Sequence, residues 1–390
     1  MQFVRASEPT AHFDPLDIFW SVNNVSSNDV DLTAGEIGTS SYYGSIDSLF
    51  ILGDDTDDTD EFDDHIIGHE WGHYFEDTLS RSDSPGGSHS FNDRLDAALA
   101  FSEGWGTAIA AMGLGDPVYC DTFIPGTLGG FDLNAETPGF GSGWYNEIAV
   151  VSFLYDLWDT DVDDTDDDSV GFLPIYNAMV GPQQFADSVA TIFSFTAGLR
   201  ASVDDQGRAL IDSQLDRENI VSGDLLDIWG SNETDDGGIA QDVLPLHVPF
   251  VVDPMPQEIC VNSSVDGVNR HGNKIGEDRY LHVTVPFDDE YLVSVVTTTP
   301  TPATPDPNDR DQSDPDIYLI HGASGGIIAA GTEDVTIVGG QPVEPTFMTP
   351  MLFASDEYAV IVEDWRFDDP NTHDNYPTRI CFDVLFESTP

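Results

Sequence analysis

Lysine is almost missing from this chain. Lys274 is the only one in 390 residues, and with arginine the basic total reaches 12 against 72 acidic residues, a net charge of −60 at pH 7. A surface this negative repels phosphodiester backbones and anionic lipid, so nucleic acid and acidic membrane faces are excluded as partners. Long apolar runs are also lacking. Nothing approaches the roughly 20 residues that a bilayer-spanning helix needs, so no span is expected. Met1–Glu8 has neither the charged start nor the apolar stretch of a signal peptide, so the chain is either intracellular or its leader is absent from this sequence. Cysteine is scarce too: Cys120, Cys260 and Cys381 fit no zinc-finger spacing. Cys260 and Cys381 bracket the C-terminal region as a disulfide tying first to last strand would, while an odd count also fits free buried thiols.

Apolar material is not scarce. Hydrophobic residues make up 40% and aromatics 11%, enough for real cores, which rules out disorder despite the charge. The length exceeds one ordinary core and implies two or three domains. Three explanations of the acidity compete: adaptation to high salt, which screens self-repulsion; calcium binding by clustered aspartates; and a solvated face kept for solubility. The acids extend over the whole chain, which favours salt adaptation. Two runs stand out, Asp54–Asp64 and Asp156–Asp168. Their closely spaced aspartates could wrap Ca2+, but neither fits the EF-hand pattern, and a solvated loop is the more economical account.

Ser48–Leu52 reads as a strand. Helices are expected from about Asp63 to Leu79, Asp93 to Met112 and Trp144 to Trp158, with further helical pattern over Pro174–Gly198 and Gln206–Trp229. A Ser/Gly/Pro loop, Arg81–Asn92, separates the first two. Gly230–Gly238 is a polar linker, and Pro245–Pro256 is punctuated by proline. Beyond it the chain alternates in strand fashion: Tyr280–Val285, Tyr291–Thr297, Asp316–Ile320, Val335–Val338, Tyr358–Glu363 and Arg379–Leu385, which reads as a small β-sandwich.

The first helix carries His69-Glu70-Trp71-Gly72-His73. Imidazoles four apart on a helix share a face and can grip one Zn2+ ion, while Glu70 between them can take a proton from water without being a ligand. A zinc hydrolase needs a third protein ligand and an open position. His65 shares the face but lies about 12 Å of helix from His73, too far for one ion. Glu103 is the better candidate. It stands in an apolar helix beside Leu99, Phe101 and Trp105, where a carboxylate is costly to bury without a cation, and Arg94 is more than two turns back. Gly104 and Gly106 permit close approach of a neighbouring helix.

His69-Glu70-x-x-His73, followed on the next helix by Glu103-Gly104-Trp105, resembles the gluzincin metallopeptidases of the thermolysin and fungalysin type. Ser41-Tyr42-Tyr43-Gly44 and Ser48–Gly53 look like the edge strand of that fold, and Trp144–Val150 is similar in position to its later active-site helix. The likeness covers roughly residues 38–230 and is strongest over 64–107. It implies a zinc-dependent endopeptidase with His69, His73 and Glu103 as ligands and Glu70 as general base. Two departures stand out. Where the family has an aspartate that orients the first histidine, this chain has Thr107, with Asp77, Asp93 and Asp96 nearby. In place of the family's oxyanion-stabilising histidine it offers Tyr145, whose alternative is an ordinary interfacial aromatic, with His89 as a rival and Arg94 as a contact for a substrate carbonyl. The C-terminal region resembles the pre-peptidase C-terminal β-sandwich, on Asn273–Gly276, Arg279–Val285, Asp314–Leu319 and Asp356–Val360. The expected fold is therefore α+β: a mainly helical zincin-type domain with a small N-terminal sheet over 1–240, a linker over 241–256 and an all-β sandwich over 257–390. The resemblance implies a protein secreted or on the cell surface and acting on protein or peptide; the acidity adds a high-salt setting, and a monomer is expected. The alternatives are a non-catalytic surface or adhesion protein retaining a degenerate peptidase fold, and a zinc hydrolase of a non-protein substrate.

Overall fold

The computed structural model describes residues 1–27, 29–54, 56, 58–123, 130–136, 141–160, 168–239, 241–252, 255–263, 272–300, 313–332, 336–338, 341–343, 346–369, 372 and 376–388. Chain contacts divide it into two compact units. The first comprises Met1–Ser82, Ala100–Gly181 and Leu199–Glu218, and the second Asp83–Leu99, Pro182–Gly198 and Asn219–Pro390. Neither unit is one continuous stretch, in contrast to the expected division at 241–256.

The first unit is mixed α and β. After α1 (Gln2–Ser7), three short strands form a sheet in the order β1-β3-β2, namely β1 (Asp17–Trp20), β2 (Ser41–Tyr43) and β3 (Ser48–Ile51). β3 is central and wholly buried, as its run Ser-Leu-Phe-Ile requires, and β2 is an antiparallel edge. Two helices follow, α2 (Asp64–Leu79) and α3 (Ala97–Leu114). α3 begins four residues later than the periodicity suggests because Asp96 halts it: the Asp96 carboxylate accepts from the N–H groups of Ala98 and Leu99, as an N-cap does. A hairpin, β4 (Val118–Asp121) and β5 (Phe131–Asn134), leads to α4 (Glu147–Trp158). This helix also starts later than expected, at the cap Asn146, whose side chain accepts from Ile148 and Ala149. α5 (Phe172–Ala178) and α7 (Asp205–Arg217) also belong to this unit, whereas α6 (Ile192–Ser202) lies mostly in the second. The pattern over Gln206–Trp229 breaks at Arg217, where Asn219 takes φ +58°. Of the second acidic run, residues 161–167 lie outside the described residues.

The second unit is built on β6 (His247–Val251), β7 (Gln257–Asn262), β8 (Asp278–Thr284), β9 (Tyr291–Thr297), β10 (Pro315–His321), β11 (Gly326–Gly331), β12 (Thr336–Val338), β13 (Gln341–Val343), β14 (Phe347–Met348), β15 (Tyr358–Asp364) and β16 (Arg379–Ser388). One sheet runs β11-β10-β15-β8-β6, the other β12-β13-β9-β16-β7 with β14 on β9. Alternate residues of both, such as Leu281, Val283, Ile317 and Val360 from one and Val261, Val293, Ile380 and Phe382 from the other, share a single core, which is the sandwich arrangement. The stretch expected as linker is partly strand: β6 pairs in parallel with β8. It holds Pro249 without penalty because it is an edge strand, where one row of N–H groups faces no partner. Cys260 and Cys381 face each other across β7 and β16 and are joined by a disulfide. It therefore ties neighbouring strands of one sheet, and β6 precedes the one that carries Cys260. Cys120 is a free thiol.

Candidate metal centre

α2 and α3 approach closely because both carry glycine where they meet. A Cβ on Gly72 would lie 2.8 Å from both Gly106 Cα and Ile109 Cγ2, and one on Gly68 2.9 Å from Ala110 Cβ. The Trp105 indole N–H donates to the Gly72 carbonyl at 3.1 Å and fixes the register. On the other side of α3, a Cβ on Gly104 would collide with Val150 and with the Glu147 carbonyl, so α4 packs as tightly. Burial of the apolar run around Phe101 and Trp105, both 0% exposed, thus carries Glu103 up against the α2 histidines.

His69 Nε2 lies 3.0 Å from His73 Nε2 and 3.1 Å from Glu103 Oε2, and His73 Nε2 lies 3.5 Å from the same oxygen. An ion bound tetrahedrally at 2.0–2.1 Å from two nitrogens and an oxygen sets them about 3.3 Å apart. The three atoms bracket that value, so the donor set and its spacing fit a zinc ion. The electrostatics agree. Burial opposes charge on His73, yet the carboxylates of Glu103, Glu76 and Glu70 outweigh it and raise its pKa well above the usual histidine range. The centre therefore carries an excess of carboxylate that a divalent cation would balance.

Around this triangle, the His69 Nδ1 faces Thr107 Oγ1 at 3.0 Å. Thr107 is thus the partner of the first histidine, while the nearby carboxylates are engaged elsewhere: Asp77 accepts from the Tyr42 hydroxyl, Asp93 pairs with Lys274, and Asp96 accepts from Tyr280. Glu70 is buried, and burial raises its pKa. Its Oε2 accepts from the backbone N–H of Tyr42 at 2.7 Å, which brings edge strand β2 to the motif. His65 turns away to the Asp116 carbonyl, 3.3 Å distant, and to the Tyr119 ring.

Tyr145 lies just before α4, half-buried, its ring folded back over Gly143 and edge-on to Trp144. His89 and Arg94 belong to the second unit, His89 exposed on an irregular loop and Arg94 donating to the Gly237 carbonyl at 2.6 Å. Sequence reasoning missed two neighbours of His73. Ser102 Oγ lies 3.3 Å from His73 Nδ1 and donates to Glu76 Oε2 at 2.6 Å. Glu76 stands one helical turn past His73, a spacing at which side chains meet, and that was the available signal.

A second cluster gathers in the same unit. Asp58, Asp60, Asp63 and Asp121 each bring a ligand oxygen within 4.8 Å of the others. The first three come from the acidic run before α2, the fourth from β4. Burial, reinforced by the charges of neighbouring aspartates, pushes the pKa of Asp60 up to about 8 and of Asp121 up to about 7. Asp63 accepts from Thr122, and Asp60 Oδ2 accepts from Ser40, whose own oxygen is held by the Leu52 N–H. Among the described residues, Asp60 Oδ1 and Asp121 Oδ1 are buried with no hydrogen-bond partner.

Residues 23–215 match the family model described as the mycolysin C-terminal domain. That stretch contains His69, Glu70, His73 and Glu103, and the match points to a peptidase family. Among solved structures, the chain is similar to the pre-peptidase C-terminal domain of a collagenase from Bacillus anthracis, with 10% identity and a TM-score of 0.21 over 36% of this chain and 94% of that one. No curated protein matches the chain.

Proposed function

We propose that the first unit is a zinc-dependent endopeptidase. The observation that carries the reading is the convergence of His69 Nε2, His73 Nε2 and Glu103 Oε2 at the spacing zinc requires; the family match points the same way. Bound at those three atoms, zinc would polarise a carbonyl and acidify water. The chain's own groups do the rest. Glu70 accepts the proton of the attacking water and returns it to the leaving amine, a role suited to a buried carboxylate of raised pKa. Tyr145 is the donor proposed for the developing oxyanion, with His89 the rival. Strand β2 offers an edge to an extended peptide beside Glu70. The disulfide in the second unit accords with an oxidising, extracytoplasmic setting, and among the described residues no helix is long and apolar enough to cross a membrane.

Casein hydrolysis tests the reading. Activity is expected to vanish with chelator and return with zinc, and Glu70→Gln is expected to bind zinc at wild-type level without turnover. Zinc binding without any peptide hydrolysis by the wild type would favour the non-catalytic or non-protein alternatives, and no zinc binding would remove the metal centre.

Asp58, Asp60, Asp63 and Asp121 are further proposed to hold calcium, supported by the buried Oδ1 of Asp60, a residue 3% exposed, which has no hydrogen-bond partner among the described residues. Calorimetric titration of the zinc-loaded protein should show saturable calcium heat that Asp60→Asn abolishes. Equal heats in both proteins would reject the site.

A further inference from the structure

The hydrogen-bond chain behind His73 has a direction. Ser102 has one hydroxyl hydrogen, and its 2.6 Å contact with Glu76 Oε2 lies in the range of a charge-assisted O–H···O⁻ bond. With that hydrogen committed, the oxygen of Ser102 can only accept, and the group facing it at 3.3 Å is His73 Nδ1. The Nδ1–H of His73 therefore donates to Ser102, and Ser102 to Glu76. An imidazole protonated at Nδ1 presents its lone pair at Nε2, the atom that faces His69 and Glu103. Glu76 is 1% exposed and Ser102 3%, so both are shielded from bulk solvent. Across the centre, the Nδ1 of His69 faces the uncharged hydroxyl of Thr107.

We infer that Ser102 and Glu76 form a two-step relay that fixes the tautomer and orientation of His73 and supplies, through a serine, the outer carboxylate that His69 lacks. Both are positioning residues: Ser102 contacts the histidine, Glu76 acts through Ser102, and neither belongs to the His69, His73 and Glu103 donor set. Glu76 lies 3.9 Å from His73 Nδ1, beyond direct hydrogen-bond reach, so the serine is an obligatory middle member. A carboxylate acting through a hydroxyl adds negative charge to the imidazole and strengthens Nε2 as a donor.

The inference rests on the metal-centre reading, and the test separates the two. Zinc affinity of the full chain is measured by competition with a chromophoric chelator in wild type, Glu76→Gln, Ser102→Ala and the double variant. Far-ultraviolet circular dichroism confirms that each is folded. The expected loss is about 10- to 100-fold for either single substitution, the usual effect of removing a partner behind a metal-bound histidine. The double variant should be no weaker than the worse single one, because a broken relay cannot be broken twice. Glu76→Asp should not restore affinity where Ser102 is absent. Independent structural roles would give multiplying losses, and that outcome, or wild-type affinity in folded Ser102→Ala, overturns the relay. Ser102→Ala removes one buried oxygen only, so the relay stays testable even if Glu76→Gln fails to fold. Absence of zinc binding by the wild type would instead refute the metal centre itself.

Discussion

Gly106→Ala separates what holds the fold from what shapes the metal centre. Gly106 sits inside α3 with its missing side chain aimed at His69: an added Cβ would lie 3.0 Å from both Cε1 and Nδ1 of the ring and 3.2 Å from Cγ. Ordinary contact begins near 3.4 Å, so the ring must retreat by a few tenths of an ångström. Retreat strains the 3.0 Å contact with Thr107 and moves Nε2 within a site where metal–ligand distances hold to roughly ±0.2 Å. Overpacking of this kind costs about 1–3 kcal/mol, and if it falls on the bound geometry, zinc affinity drops about 5- to 150-fold. Alanine also gains about 0.8–1.0 kcal/mol of helix propensity over glycine, so the metal-free protein should lose little stability. Gly113 supplies the control. It lies in the same helix, and a Cβ there would meet nothing within 4 Å, so Gly113→Ala should gain the propensity and leave zinc affinity unchanged. Chelator competition and chemical denaturation of the metal-free proteins provide both readouts. Wild-type zinc affinity in Gly106→Ala would refute the claim that His69 is held at its present position for metal.

Three further outcomes are expected. His247 is buried, with Nδ1 facing the Trp229 carbonyl and Nε2 accepting from the Val189 N–H, and burial lowers its pKa from 6.5 to about 3. The unfolded chain therefore binds the extra proton first, and stability should fall by ~1.4 kcal/mol per pH unit as pH drops from 6.5 towards 3; urea unfolding should show this slope reduced in His247→Gln, and an unchanged slope would reject the assignment. Asn146→Ala should cost about 1 kcal/mol, with Asn146→Asp recovering most of it, since the side chain caps α4. Thr107→Asp should raise zinc affinity by up to about tenfold by placing a charge behind His69; a fall measured by chelator competition would count against that role for residue 107.

The readable parts of the chain were those with local signals. The α2 helix matched its expected span to within a residue because the period and the histidine spacing both act within one stretch. Glu103 could be singled out because a carboxylate amid Leu99, Phe101 and Trp105 has no local reason to be there, and the structure brings it to His69 and His73. The contact of Thr107 with His69 was legible as hydrogen-bond capacity alone. Glu76 was hidden among 72 acidic residues, and Asp121 joins its cluster only through the β4 hairpin, a pairing that no short window contains. β6 was hidden by Pro245 and Pro249, because proline argues against a strand unless the strand is known to be an edge. Asp96 illustrates the remaining kind of miss: periodicity carried the helix through it, and its capping side chain ended that run.

The single lysine has a chemical consequence. Lys274 is 5% exposed, donates to the Ser88 carbonyl and pairs with Asp93, so the folded surface presents no lysine amine at all. Reductive-alkylating reagents and lysine-directed conjugating enzymes meet no exposed lysine side chain while the second unit is intact. Covalent labelling at residue 274 would therefore act as a reporter, its rate measuring how often the structure around Asp93 opens.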